Sequence, residues 1–177
     1  MLDTRRRRQI AEATQRVDED AETKPRLGSN EGQRQINSDF HAFNPGNNGN
    51  LTNLRNIAFR SAGTVGDLGR YLHYLQDSFS HRGFSSSLIG QAGSNGTDYP
   101  LFGGLVVDNT NHDVGKSAEM AGATWFAIRD WIRTKRCKCA DQGDTNVHSW
   151  WPRVIQFLER DNSELETKRQ ILGVPLR

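Results

Sequence analysis

The stretch TVGDLGRYLHYLQDSFSHR, residues 64–82, decides the fold of this chain. Its apolar side chains recur at helical spacing and fall within about 80° of one another on a helix. They are Val65, Leu68, Leu72, Leu75 and Phe79. Thr64 is a favourable N-cap for such a helix. The pattern predicts an amphipathic helix over residues 64–82 that buries this face in the core.

A second face of the same helix carries groups that bind metals. His73, Asp77 and His81 follow one another at steps of four residues, which aligns them nearly opposite the apolar face. Zinc accepts imidazole nitrogen and carboxylate oxygen, and an i, i+4 pair presents two such groups to one ion. Gly66 and Gly69 lie on this side, where another backbone has room to approach. We predict a metal site here, with a solvated polar face as the simpler alternative.

The rest of the chain predicts a mostly α-helical protein, a single-domain helical bundle with long loops rich in Gly, Asn and Ser. Further helices are predicted at residues 4–17, 51–60, 116–136, 150–159 and 163–171. Ser149 is the predicted N-cap of the helix that begins at residue 150. We divide the chain into an N-terminal helix, 1–17, and a helical metal-binding, hydrolase-like domain, 18–177.

Two polar segments predict irregular connections. Residues 18–49 contain Pro25, Pro45 and several Gly and Asn, so we expect no long element there. Residues 83–104 are rich in Gly and Ser and predict a long loop, followed by a short strand at 105–107.

Charge and hydropathy exclude some function classes. The net charge of +2 is too small to predict a nucleic-acid binder, although Arg5–Arg8 and Lys135–Lys138 form two basic clusters. The sequence contains no apolar run of about 18 residues and no apolar segment after its first arginines. We therefore expect no transmembrane segment and no signal peptide, and production in the cytoplasm.

A hydrolytic metal site needs another imidazole from elsewhere in the chain. His41 is a candidate, with an aromatic-packed loop residue as the equal alternative. His112 is the best placed, just ahead of a predicted helix. For His148, beside two tryptophans, a partly buried packing role is the simpler reading.

Two acidic positions have alternative roles. Asp113 is either the N-cap of the following helix or a catalytic carboxylate, and both roles are compatible. Asp18–Asp20 is an acidic cluster that is most simply a solvated helix end, with a ligand role left open.

The run LHYLQDSFSHRGF, residues 72–84, resembles a bacterial domain family with a Leu-His-x-x-Gln-Asp-x-x-Ser/Ala-His-x-Gly-Phe core. More distantly it is similar to the zinc-dependent phospholipase C and fungal single-strand nuclease superfamily, whose His-x-x-x-Asp helix is matched here by His73 and Asp77. Similar domains lie at the C-termini of bacterial polymorphic and Rhs-type toxins. Their flanking motifs would correspond here to residues 20–25, 40–43 and 112–113.

The resemblance implies an all-helical zinc enzyme. The metal ligands it indicates, together with the spacing argument, are His41, His73, Asp77, His81 and His112. Asp77 or Asp113 would orient the attacking water. The tryptophan ligand of the superfamily has no counterpart here, so we expect one or two zinc ions, with another divalent metal left open.

The expected function is that of a metal-dependent phosphodiester hydrolase, phospholipase C-like, acting as a bacterial toxin effector. A metal-dependent nuclease and a non-catalytic, metal-stapled binding module are the alternatives. Leu88-Ile89 and Leu101-Phe102 would touch a phospholipid surface, whereas a nuclease needs the basic clusters beside the site. An effector would also have a parent delivery protein, an immunity protein and a specialised secretion system.

Overall fold

The computed structural model describes residues 4–23, 31–42, 48–80, 84–87, 90–93, 113–135, 147–160 and 165–171. Within these ranges the chain forms seven helices and one hairpin. They are α1 (Thr4–Glu19), α2 (Glu31–Phe40), α3 (Asn48–Phe59), α4 (Val65–Ser80), β1 (Phe84–Ser87), β2 (Gly90–Gly93), α5 (Val114–Thr134), α6 (Val147–Glu159) and α7 (Leu165–Ile171). The prediction of a mostly α-helical single domain is confirmed. Among these described helices, none is long and apolar enough to cross a membrane.

Helix α4 lies at the centre of the packing, with α1, α3 and α5 against it. The buried core combines residues of these four helices: Ile10, Ala58, Leu68, Tyr71, Leu72, Leu75, Ala127 and Trp131. Trp131 places its indole in this core and donates from Nε1 to the carbonyl of Ala58 at 2.9 Å, so its polar group is satisfied. Helix α6 packs on α5, and α7 packs on α6.

A capping box fixes the start of α4. The Thr64 hydroxyl accepts from the Asp67 N–H at 3.1 Å, and Asp67 Oδ2 accepts from the Thr64 N–H and hydroxyl at 2.8 Å each. Partial burial by itself would raise the pKa of Asp67, but these hydrogen bonds and the charges of Arg60 and Arg70 together lower it below the ordinary 3.8. The predicted N-cap is confirmed.

A glycine sets how closely α1 approaches α4. A Cβ on Gly69 would lie 2.5 Å from the backbone carbon of Ala13 and 2.6 Å from its Cβ. The side chain that is missing at Gly69 therefore lets the two backbones touch. Helix α1 contributes Ile10 and Val17 to the buried interior, so the boundary that we drew after residue 17 falls inside a helix of the bundle.

Helix α2 corrects the expectation of a loop over residues 18–49. Polar contacts hold its C-terminal end, and contacts of this kind leave no apolar periodicity in the sequence. Gln35 donates to Asp39 Oδ1 at 2.7 Å within the helix, and Asn50 of α3 donates to the same oxygen at 3.0 Å. These contacts attach the end of α2 to α3.

Two further boundaries differ from the prediction. Residues 84–87 and 90–93 form two antiparallel strands in which Phe84 pairs with Gly93 and Ser87 with Gly90, where we expected a loop. Helix α6 begins at Val147, so Ser149 lies inside its first turn and is not the N-cap. Leu88-Ile89, Leu101-Phe102 and the strand predicted at 105–107 lie outside the described residues.

Candidate metal centre

His73 and Asp77 lie one turn apart on α4, on the side that faces α1. His73 Nε2 is 3.2 Å from Asp77 Oδ2. His73 is only 6% exposed, although we expected this row to lie opposite the buried face. The reason is the close approach at Gly69, because α1 covers this side of α4 as well.

His41 reaches the same place from the end of α2. Its backbone N–H donates to the carbonyl of Asn37 at 3.1 Å, so it closes the last turn of the helix. Its side chain is 2% exposed, and Nδ1 lies 3.0 Å from His73 Nε2 and 3.3 Å from Asp77 Oδ2. The two imidazole rings meet edge to face, with centroids 4.9 Å apart.

Asp18 completes the group from the end of α1. Its Oδ1 lies 3.5 Å from His73 Nε2 and 3.7 Å from His41 Nδ1, and its side chain is 41% exposed. Asp18, His41 and His73 each offer one ligand atom, and these atoms lie close enough together to hold one metal ion. We call Asp18, His41, His73 and Asp77 the His/Asp cluster.

The distances that involve the two imidazoles fit a divalent ion. Zinc bonds of about 2.0–2.2 Å in a tetrahedral site leave neighbouring ligand atoms about 3.3 Å apart. The atoms here are 3.0 Å apart between the imidazoles, 3.2 and 3.3 Å apart from Asp77, and 3.5 and 3.7 Å apart from Asp18. The donor set, two nitrogens and two carboxylate oxygens, is also one that zinc accepts.

Electrostatics favour a cation at this position. Two carboxylates face two imidazole nitrogens here, and each of these nitrogens offers a lone pair when the hydrogen is on the other nitrogen of its ring. His41 and His73 are both buried, so bulk water provides little screening. A divalent cation would neutralise both carboxylates and accept both lone pairs.

A buried polar network supports α2 and therefore His41. Tyr74 of α4 is 2% exposed, and its hydroxyl is hydrogen-bonded with the side chain of Asn50. Burial, with the negative charges of Asp39 and Asp77, raises the pKa of Tyr74 above the ordinary 10.0, so the phenol stays neutral. Asn50 in turn donates to Asp39 and to the carbonyl of Ser38, which are two and three residues before His41.

Of the four other candidate residues, the structure describes two. Asp113 is the N-cap of α5, where Oδ1 accepts from the Lys116 N–H at 2.9 Å, one of the two roles we allowed for it. His81 and His112 lie outside the described residues. His148 belongs to α6, which packs on α5.

Asp18 is the member of the His/Asp cluster whose role as a ligand the sequence left open. Its only local signal is its position directly after Val17, the last buried apolar residue of α1. The helix end is exposed, as predicted, and it also lies beside His41 and His73, because α1 packs along α4.

Comparison of the chain with known protein families, with curated proteins and with solved structures yields no match. The geometry of the His/Asp cluster is therefore the structural basis for a proposed function.

Proposed function

We propose that this chain is a zinc-dependent phosphodiester hydrolase whose metal is held by the His/Asp cluster. The observation that carries the proposal is the convergence of ligand atoms of Asp18, His41 and His73 at 3.0–3.7 Å, with Asp77 Oδ2 3.2 and 3.3 Å from the two imidazole nitrogens. The motif over residues 72–84, which resembles that of zinc-dependent phosphodiesterases, supports the same reaction class.

The chain's own residues would have distinct roles. A divalent zinc ion supplies Lewis acidity toward a phosphoryl oxygen and lowers the pKa of a coordinated water. His41 and His73 would hold the ion as buried neutral ligands, fixed by α2 and α4. Asp18 is the most exposed member of the cluster, at 41%, so substrate and water would approach from its side. We leave Asp113 out of the reactive set because its carboxylate caps α5.

Phospholipid is the substrate that we propose, because the described members of the two basic clusters, Arg5–Arg8 and Lys135, lie away from the His/Asp cluster. Arg8 is ten residues before Asp18 on α1, which is about 15 Å along the helix. Lys135 donates to the carbonyls of Arg60 and Ser61, just before α4, whereas His73 lies about 12 Å along that helix. A nuclease would need such cations beside the site to bind phosphates.

We further propose that the hydrolase is a toxin effector, on the resemblance of residues 72–84 to polymorphic and Rhs-type toxin domains. Expression of the chain inside a bacterium should then arrest growth, and His73→Ala should relieve the arrest. Equal growth of cells that express either protein at the same level would argue against a toxin.

The direct test combines metal analysis with hydrolysis. Purified chain should bind zinc and release the phosphorylated headgroup from phosphatidylcholine vesicles. Substitution of a residue that only supports a metal ligand typically costs about 10–100-fold. His73→Ala and Asp77→Asn should each reduce the rate of hydrolysis by more than that. Glu19→Gln is the matched control, since Glu19 is an exposed neighbour of Asp18 and the same charge is removed.

The outcomes separate the alternatives. Hydrolysis of single-stranded DNA or RNA but not of vesicles would make the chain a nuclease. Zinc binding without hydrolysis of either substrate would make it a metal-stapled binding module. Unchanged hydrolysis in both His73→Ala and Asp77→Asn would rule out the site.

A further inference from the structure

We infer that His41 binds the metal through Nδ1 and that Thr23 is the positioning residue that fixes this choice. The inference rests on the proposed metal site and concerns how the chain prepares one ligand before the ion arrives. Thr23 lies in the turn after α1, where it is 7% exposed.

The hydrogen-bond partner of His41 Nε2 determines which ring nitrogen of His41 carries the hydrogen. His41 Nε2 lies 2.6 Å from the backbone carbonyl of Thr23. A carbonyl oxygen can only accept, so Nε2 must carry the hydrogen. In the neutral ring the lone pair then belongs to Nδ1, the nitrogen that faces His73 and Asp77 at 3.0 and 3.3 Å. The ring is oriented for metal binding by a contact on its opposite side.

The carbonyl that accepts this hydrogen bond is itself held in place. The Thr23 hydroxyl donates to the carbonyl of Val17 at 2.8 Å, and the Thr23 N–H donates to the carbonyl of Asp20 at 3.1 Å. Val17 directly precedes Asp18. The hydroxyl of Thr23 therefore ties the turn that orients His41 to the helix end that supplies Asp18, so one side chain sets the spacing of two ligands.

A matched pair of substitutions isolates the hydroxyl. Thr23→Val keeps the shape of the side chain and removes the donor to Val17, whereas Thr23→Ser keeps the donor. We expect Thr23→Val to weaken zinc binding about 10-fold or more, measured by competition with a chromophoric chelator, and Thr23→Ser to bind within about 3-fold of the wild type. Equal zinc affinity in the wild type and Thr23→Val would overturn the positioning role.

A spectroscopic measurement reads the binding atom directly. Nitrogen-15 NMR of the zinc-loaded wild type should show His41 with a protonated Nε2 and a metal-shifted Nδ1. Binding through Nε2 would overturn the inference, and this result needs no variant to fold. If the wild type binds zinc through Nδ1 but hydrolyses no phosphodiester, the proposed function fails and this inference stands. A wild type that binds no zinc overturns both.

Discussion

Ala42 carries backbone strain directly beside His41 of the His/Asp cluster. It has a φ of 49°, in the left-handed region, and it is 1% exposed. This conformation turns the chain immediately after His41, so that the imidazole points into the cluster while the chain leaves α2. A β-branched residue adopts this conformation only at considerable cost.

Ala42→Val should therefore destabilise the fold by about 2 kcal/mol, because it adds bulk in a buried position and strain at a positive φ. Chemical denaturation would measure the loss. Ala42→Gly is the control: relief of strain and loss of a buried methyl, each about 1 kcal/mol, should nearly cancel. Valine and glycine variants of equal stability would argue against the strained turn.

At the scale of elements, the contact of α1 with α4 depends on one glycine. Gly69→Ala places a Cβ against the backbone of Ala13, which cannot move aside like a flexible side chain. We expect a loss of about 1–3 kcal/mol in the free energy of unfolding, together with weaker zinc binding because Asp18 is displaced.

Gly66→Ala, on the same helix, is the matched control for this prediction. Its Cβ would meet only the Thr64 hydroxyl at 3.5 Å, an ordinary contact. The helix propensity of alanine should leave stability unchanged or raise it by up to about 1 kcal/mol. Similar losses in both variants would contradict close packing at Gly69.

The capping box of α4 predicts a pH-dependent contribution to stability. Because the pKa of Asp67 is lowered in the folded state, its contribution is present at neutral pH and is lost as the pH falls through the folded value. Asp67→Ala should cost about 0.5–1 kcal/mol at neutral pH, a small value because the group is largely solvent-screened, and nearly nothing at about pH 2.

Thr64→Ala provides the comparison for the pH effect. The Thr64 hydroxyl also accepts from the Asp67 N–H, a contact that does not titrate. Loss of this contact should still lower the free energy of unfolding at acid pH, by less than about 1 kcal/mol. A cost for Asp67→Ala that stayed constant across this pH range would show that the carboxylate charge is not involved.

At the scale of the whole molecule, the His/Asp cluster joins three helices that are distant in sequence. The imidazoles of His41 and His73 are 32 positions apart along the chain and meet only in the folded state. A ligand that binds the folded state alone stabilises it by mass action. Zinc at about 100 times its Kd should add about 2.7 kcal/mol and raise Tm by about 5–10 °C.

Chelator should reverse this rise in Tm, which calorimetry would follow. His73→Ala should abolish the rise and Asp18→Asn should reduce it, whereas Glu19→Gln should keep it. A zinc-dependent rise of full size in His73→Ala would place the ion elsewhere.

Much of α4 was predictable because helical geometry fixes the relative positions of residues that are close in sequence. The apolar spacing from Val65 to Phe79, the Thr64 cap and the His73–Asp77 step all follow from 3.6 residues per turn. Helix α2 was not predictable in this way, since the hydrogen bonds that hold it, such as that between Asn50 and Asp39, connect different segments.

The amino-acid order by itself determined the mostly helical class, the central helix and the pair of potential ligands on it. Only the tertiary structure decided that Asp18 and His41 join that pair and that Thr23 orients one imidazole. The physical reason is that groups within one helix are spaced by local geometry, whereas groups on separate segments meet where packing at Gly69 and polar contacts around α2 bring them.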